Sequence, residues 1–192
     1  MKAIGIIHDE HRSLAAVLYG MLYLLREIRL RGALPDFDLL DSMVDYLDAF
    51  SERFHHPKED AYLFKFLSMR YPDARPLIDR LGAEHRAGRE RLRALERALL
   101  RYQQRGPREF NAAAKAVQAF AAFHWDHMRT EEDRLLPLAR IHLTADDWKA
   151  IDAALVGETD PSFGVRVGAE YAAMFRRIVN LAPRPIGVAP AR

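Results

Sequence analysis

Apolar residues recur along most of the chain at alternating steps of three and four, the spacing that gathers one face of an α-helix. The first stripe runs Ile4, Ile7, His11, Leu14, Leu18, Met21, Leu25 and Ile28, and stops at Gly32 and Pro35. A second helix is expected from Asp36 to about Arg70. It carries Leu40, Met43, Leu47, Phe50 and Phe54, then Tyr62, Leu63, Phe66 and Met69. Pro57 removes one backbone donor and predicts a kink within it. After a loop over 71–76, the third stripe runs Ile78, Leu81, His85, Gly88, Leu92, Leu95, Leu99 and Tyr102, ended by Gly106 and Pro107. The fourth carries Phe110, Ala113, Val117, Phe120, His124, His127, Glu131, Leu135 and Leu138.

Thr144 with Asp147 three residues later predicts a capped short helix through Leu155. A loop over 157–164 leads to a last helix from Val165 to Leu181, and the tail over 183–192 is Pro-rich. Strand signals are weak throughout. Four long helices with short connections predict an all-α, up-down-up-down four-helix bundle over residues 1–142. Extra C-terminal helices over 143–182 are expected to pack on it, followed by a flexible tail over 183–192. The last helix, with Tyr171, Met174, Phe175 and Ile178, packs outside the bundle or pairs with a second copy as a homodimer.

Composition narrows the chemistry. The 192 residues contain no Cys, which excludes disulfides, thiolate metal sites, iron–sulfur clusters and a Cys nucleophile. A metal must therefore sit on His and carboxylate. Lys and Arg number 29 against 27 Asp and Glu, a near balance that favours no particular partner. Arg86, Arg89, Arg93, Arg97 and Arg101 form a ridge on the third helix, but Glu90 and Glu96 interrupt it. A solvated face is the expected reading, and nucleic acid is not an expected partner. No apolar run is long enough for a membrane span, and the start MKAIGIIHDEHR does not read as a signal peptide. No membrane partner and a cytoplasmic location are expected.

The informative residues are the polar ones on the apolar stripes: His11, His85, His124, His127 and Glu131, with His55 and Glu59 on the inward side of the second helix. A buried carboxylate is costly unless paired or coordinated. His55 and Glu59 are four residues apart, as are His127 and Glu131, so each pair shares a helix face one turn apart. The spacing between helices agrees. His11 lies 22 residues before Ala33 and His55 lies 22 after it; His85 lies 21 before Gly106 and His127 lies 21 after it. About Asp73, Glu59 is 14 residues before and His85 is 12 after. At about 1.5 Å rise per residue, all four helices bring His and Glu to one height. That is the arrangement of a di-iron or di-manganese site in a bundle core.

The phrases Asp9-Glu10-His11-Arg12, HHPKED at 55–60, EHRAG at 84–88 and HWDHMRTEEDRLLP at 124–137 resemble the hemerythrin-like, HHE cation-binding domain over about residues 6–140. The resemblance implies a four-helix bundle around a non-haem di-iron centre, two iron ions of the Fe–O–Fe type, with His ligands and two bridging carboxylates. By motif, the ligands would be His11, His55, Glu59, His85, His127 and Glu131. Two departures stand out. Arg89 occupies the place of a second third-helix His, and Glu131 follows His127 by four residues where hemerythrins proper have Asp at five. The departures argue against reversible oxygen carriage.

The residues themselves offer His124 as a fifth histidine, with His56 and His8 as alternative sources. Gly88 could leave room above an open metal position, and Tyr62 could hydrogen-bond a bridging ligand, although close packing explains either. The expected function is to bind, sense or scavenge dioxygen, nitric oxide or peroxide, or to handle iron. The partner is then a small diatomic ligand or peroxide. Manganese or a mixed-metal site fits the same donors. The alternatives are a di-iron oxidase or peroxidase-like enzyme, or a helical interaction module with a structural metal.

Overall fold

The computed structural model describes residues 1–156, 165–183 and 187, with side chains in the last helix from residue 171 onward. The expected loop over 157–164 and most of the tail lie outside the described residues. The chain forms α1 (Ala3–Arg31), α2 (residues 37–70), α3 (Arg75–Arg105), α4 (residues 110–142), α5 (Ala145–Val156) and α6 (Val165–Leu181). The first four make the bundle, and α5 and α6 are the extra helices. Among the described residues, no helix is long and apolar enough to cross a membrane.

Local chemistry sets the helix ends. Gly32 adopts a left-handed φ of 65°, which lets its N–H close the last turn of α1 on the Ile28 carbonyl. Asp36 caps α2 by accepting from the Leu39 N–H at 3.0 Å. Thr144 and Asp147 satisfy each other reciprocally at the start of α5. The Thr144 N–H donates to Asp147 at 2.9 Å, and the Asp147 N–H donates to the Thr144 hydroxyl at 3.2 Å.

Pro57 does not end α2. The helix changes winding around it: Leu47–His55 is π-helical, His56–Lys58 is α-helical, and Glu59–Phe64 is π-helical again. α4 repeats the device, with π-helical Glu131–Leu135 just before the turn that holds Pro137. A proline ring clashes with the carbonyl four residues back and leaves it without a donor. The wider winding absorbs that defect without breaking the helix. Both stretches fall where the candidate ligands sit, as π-helical insertions often do.

The core has two apolar halves. One joins Leu14, Leu18, Met21, Leu92, Leu99, Val117 and Phe120. The other joins Ile4, Ile7, Leu63, Leu67, Leu81, Leu135, Trp148 and Ile151. The stripe positions between them hold buried His11, His55, His56, Glu59, His85, His124, His127 and Glu131. A polar layer therefore crosses the bundle. On the outside, the Tyr171 ring of α6 packs edge-on or tilted against Phe50 and Phe54 of α2, and Phe175 packs tilted against Tyr46. From residue 171 onward, Tyr171, Met174, Phe175 and Ile178 of α6 thus pack against the core of the same chain.

Candidate metal centre

The layer is arranged around two carboxylates. One oxygen of Glu131 lies 3.3 Å from His127 Nε2 and 3.6 Å from His85 Nε2, while the other lies 3.3 Å from His11 Nε2. Glu59 behaves likewise, with one oxygen 3.4 Å from His55 Nε2 and 3.7 Å from His85 Nε2, and the other 4.0 Å from His11 Nε2. Each carboxylate thus stands between a pair formed by His11 and His55 and a pair formed by His85 and His127. Ligating atoms of His11, His55, Glu59 and Glu131 all lie within 4.8 Å of one another, as do those of Glu59, His85, His127 and Glu131.

The outer nitrogens of the four histidines form a second ring. His55 Nδ1 meets Glu10 at 2.7 Å, His85 Nδ1 meets Asp60 at 2.9 Å, His127 Nδ1 meets Glu84 at 2.9 Å, and His11 Nδ1 meets Glu132 at 2.7 Å. The order is cyclic. Each helix supplies a carboxylate, next in sequence to its own core His or Glu, that grips the histidine of the following helix. Ionised carboxylates only accept, so Nδ1 donates, and in a neutral ring Nε2 then turns its lone pair inward. A carboxylate behind a histidine is the usual support of a metal ligand, because it fixes the tautomer and raises the ring's basicity.

Charge follows from that enclosure. Burial opposes the charged form of His11, but Glu131 and Glu132 outweigh it and raise its pKa to about 10. Burial also opposes His127, yet Glu131 and Glu84 raise it to about 10. Burial and the neighbouring Glu131 push Glu59 well above the usual carboxylate range. Burial would raise Glu131 as well, but His127, His11 and His85 hold it well below that range. Two buried carboxylates side by side stay ionised together only when positive charge is placed between and around them.

The residues fit a cation. His11 Nε2, His55 Nε2 and all four oxygens of Glu59 and Glu131 are buried without a hydrogen-bond partner. His85 Nε2 and His127 Nε2 face each other at 3.1 Å. Buried polar atoms are otherwise nearly always paired, so a cluster of inward-turned acceptors points to a missing positive charge. Imidazole and carboxylate, without thiolate, suit iron or manganese.

A family model described as hemerythrin HHE cation binding domain matches residues 2–139. The chain belongs to this family. No curated protein and no solved structure matches it. The hemerythrin HHE match and the buried His/Glu clusters together support metal binding by this chain.

The remaining candidates sit as follows. His56 is buried, stacks on His85 with ring centroids 4.1 Å apart, and forms a third donor group with His85 and His127. His124 is equally buried but lies outside all three groups. Its Nε2 is unpartnered, it stacks on His56 at 6.0 Å, and burial lowers its pKa to about 3. His8 is half-exposed beside Glu132 at 3.3 Å. Tyr62 is half-buried in the lower apolar half. Gly88 is buried, and the space it leaves is filled by Glu52: a Cβ there would stand 2.9 Å from Glu52 Oε1.

Glu52 and Lys58 were not legible as site residues. Glu52 is only 3% exposed, neither oxygen has a hydrogen-bond partner, and Oε1 lies 3.6 Å from His56 Nδ1. Burial raises its pKa to about 7 against the pull of His85 and Arg89. Lys58 is 1% exposed, donates to the Leu155 carbonyl at 3.2 Å, and sits 3.5 Å above the Phe54 ring. It ties the end of α5 to α2 beside Glu59. The rim carboxylates had a signal in the sequence: Glu10, Asp60, Glu84 and Glu132 each adjoin a core His or Glu.

Proposed function

We propose that the chain is a dinuclear non-haem iron protein that binds, senses or scavenges dioxygen, nitric oxide or peroxide, or handles iron. The observation that carries this reading is the sharing of Glu59 and Glu131 between two donor groups. One metal would take His11 and His55. The second would take His85 and His127, with His56 rather than His124 as the fifth histidine. An iron pair held there supplies one- and two-electron chemistry toward such small oxidants. Glu59 and Glu131 would bridge the pair, and their charge offsets much of the metal charge inside the core. Glu10, Asp60, Glu84 and Glu132 would hold the rings so that Nε2 alone faces the metals. The apolar halves above and below keep bulk water from the layer.

The test is metal content per chain after anaerobic ferrous reconstitution, with an absorbance spectrum before and after oxygen. About two irons per chain and new ferric bands on oxygen exposure are expected. Less than half a metal per chain would overturn the reading. Sustained turnover of peroxide would move the assignment to the oxidase or peroxidase-like class. Bound metal indifferent to oxygen, nitric oxide and peroxide would move it to a structural metal.

A further inference from the structure

α2 carries carboxylates at positions 38, 41, 45, 48 and 52, in steps of three, four, three and four. At α-helical spacing these positions share one face, and the π-helical stretch Leu47–His55 turns the last of them, Glu52, inward. Asp38, Asp41 and Asp45 are exposed, Asp48 is 41% exposed, and Glu52 is buried. Across the seam, Glu96 of α3 lies beside Asp48 and Asp45. Asp41, Asp45 and Glu96 line one groove, whose wall also includes Arg97, Val44, Leu99, Leu100 and Gln103. Further along α3, Gly88 gives up its side chain to the Glu52 carboxylate. Beyond Glu52 stands His56, whose Nδ1 is also buried and unpartnered, and then the His85 and His127 pair.

The result is a descending line of carboxylates from solvent to the metal layer. Four guanidinium groups border it. Arg53 is engaged by Asp48 at 2.7 Å, Arg89 lies 3.9 Å from Glu52, and Arg93 and Arg97 flank Glu96. The carboxylates outnumber them, in a chain whose net charge is +2. Burial, then Asp45 and Asp38, raise the Asp41 pKa, and burial, then Asp48, raise that of Glu96. Burial leads both shifts, and the neighbouring carboxylates add to it. Hydrogen bonding within the protein does not account for Glu52, a buried carboxylate with two free oxygens aimed past a glycine. Its position at the inner end of the acidic line does.

We propose that the α2–α3 seam is a loading route for divalent metal cations, with Glu52 and His56 as its inner hand-over site. The inference rests on the metal centre proposed above. A hydrated cation is concentrated at the groove of Asp41, Asp45 and Glu96, passes Asp48, and exchanges water for the Glu52 carboxylate and the free His56 nitrogen. From there His85 and His127 are the adjoining donors. The step involves ligand exchange only, with no change of oxidation state.

The test is stopped-flow uptake of cobalt(II), an absorbing and oxygen-stable probe, by chelator-stripped protein at low and high salt. Asp41→Asn/Asp45→Asn/Glu96→Gln removes charge only at the surface and should leave folding intact. Its uptake rate should fall at least about threefold at low salt, part of the roughly tenfold or greater gain that a full steering field gives, and the difference should shrink at high salt. Glu52→Gln should slow uptake at both salt concentrations. In each variant the endpoint should remain two cobalt ions per chain. A control, Asp79→Asn/Asp133→Asn, removes exposed carboxylates away from the seam and should match wild type. Rates equal to wild type in both seam variants, or an equal slowing in the control, would overturn the route while leaving the centre standing. A wild-type endpoint below two cobalt ions would overturn the dinuclear centre and the route with it.

Discussion

His85 Nε2 and His127 Nε2 lie 3.1 Å apart, and each ring donates its other nitrogen to a carboxylate, Asp60 and Glu84 respectively. With both Nδ1 protons committed outward, two lone pairs would oppose each other across that gap. Against the cost of burial, Glu131 and Glu84 favour a protonated His127, and a proton on one ring removes the conflict. A cation relieves it better, because it uses both lone pairs and the Glu131 oxygen 3.3 Å from His127.

The carboxylate behind each ring should then matter to metal affinity. Glu84→Gln keeps the shape but weakens the grip on His127 Nδ1 and frees the tautomer. Loss of such a support typically costs about 10- to 100-fold in metal affinity. Competition with a chromophoric chelator should show that loss, confined to one of the two metals. Glu132→Gln should weaken the other one, at His11. An affinity unchanged in both variants would show that the ring of carboxylates merely solvates the rim.

Metal removal should loosen the bundle. The layer buries two adjacent carboxylates and their histidines with six inward atoms left without hydrogen-bond partners, from His11, His55, Glu59 and Glu131. A cation that binds only the folded chain adds about 4 kcal/mol at a thousandfold excess over its dissociation constant. Stripping the metal should therefore lower Tm by roughly 10 °C, on the scale of about 2–4 °C per kcal/mol for a chain of this size. Calorimetry of the same sample before chelation, after it, and after reloading measures the effect. A Tm indifferent to chelation would mean that protons stabilise the layer as well as metal does.

The stripes made the bundle legible. Leucines and isoleucines at helical spacing place four long helices, and the counts about Ala33, Asp73 and Gly106 bring His11, His55, His85 and His127 to one level. What escaped was rotation around the helix. The π-helical stretch Leu47–His55 shifts the face that α2 presents, so Glu52 points inward where an ideal helix would send it outward. The same change of winding surrounds Pro57, where the sequence predicts a kink. Gly88 was legible as a close approach but not for its neighbour, since Glu52 comes from another helix. Lysines ordinarily lie outside, so the burial of Lys58 against the Leu155 carbonyl of α5 and the Phe54 ring had no signal in the sequence.

The two extra histidines should separate. His56 groups with His85 and His127, whereas His124 stands behind it against Phe120 at 4.4 Å. His124→Phe replaces a neutral buried ring with an apolar one of similar shape and should retain two metals per chain. His56→Ala removes a donor and should weaken the metal on the His85 side, leaving about one tightly held metal per chain. Elemental analysis after gel filtration distinguishes the two. Loss of metal in the His124 variant with retention in the His56 variant would reverse the assignment.

The acid response of the C-terminal extension can be isolated at Asp147. This side chain is 4% exposed, accepts Arg70 Nε and Nη2 at 2.8 and 3.0 Å, and closes the Thr144 box. The Arg70 hydrogen bond, followed by Thr144, holds its carboxyl well below the usual range. A folded-state pKa below the unfolded value near 3.9 means that the ionised form favours folding. The contribution is complete above about pH 5 and drains away as pH falls through the unfolded value toward the folded one. Asp147→Asn should therefore cost about 1–2 kcal/mol at pH 7, the scale of a lost helix cap. The gap to wild type should narrow steadily below pH 4. Urea unfolding of both proteins, metal-free and at matched salt, measures the gap at each pH. A gap that stayed constant down to pH 3 would show that Asp147 acts by shape and not by charge.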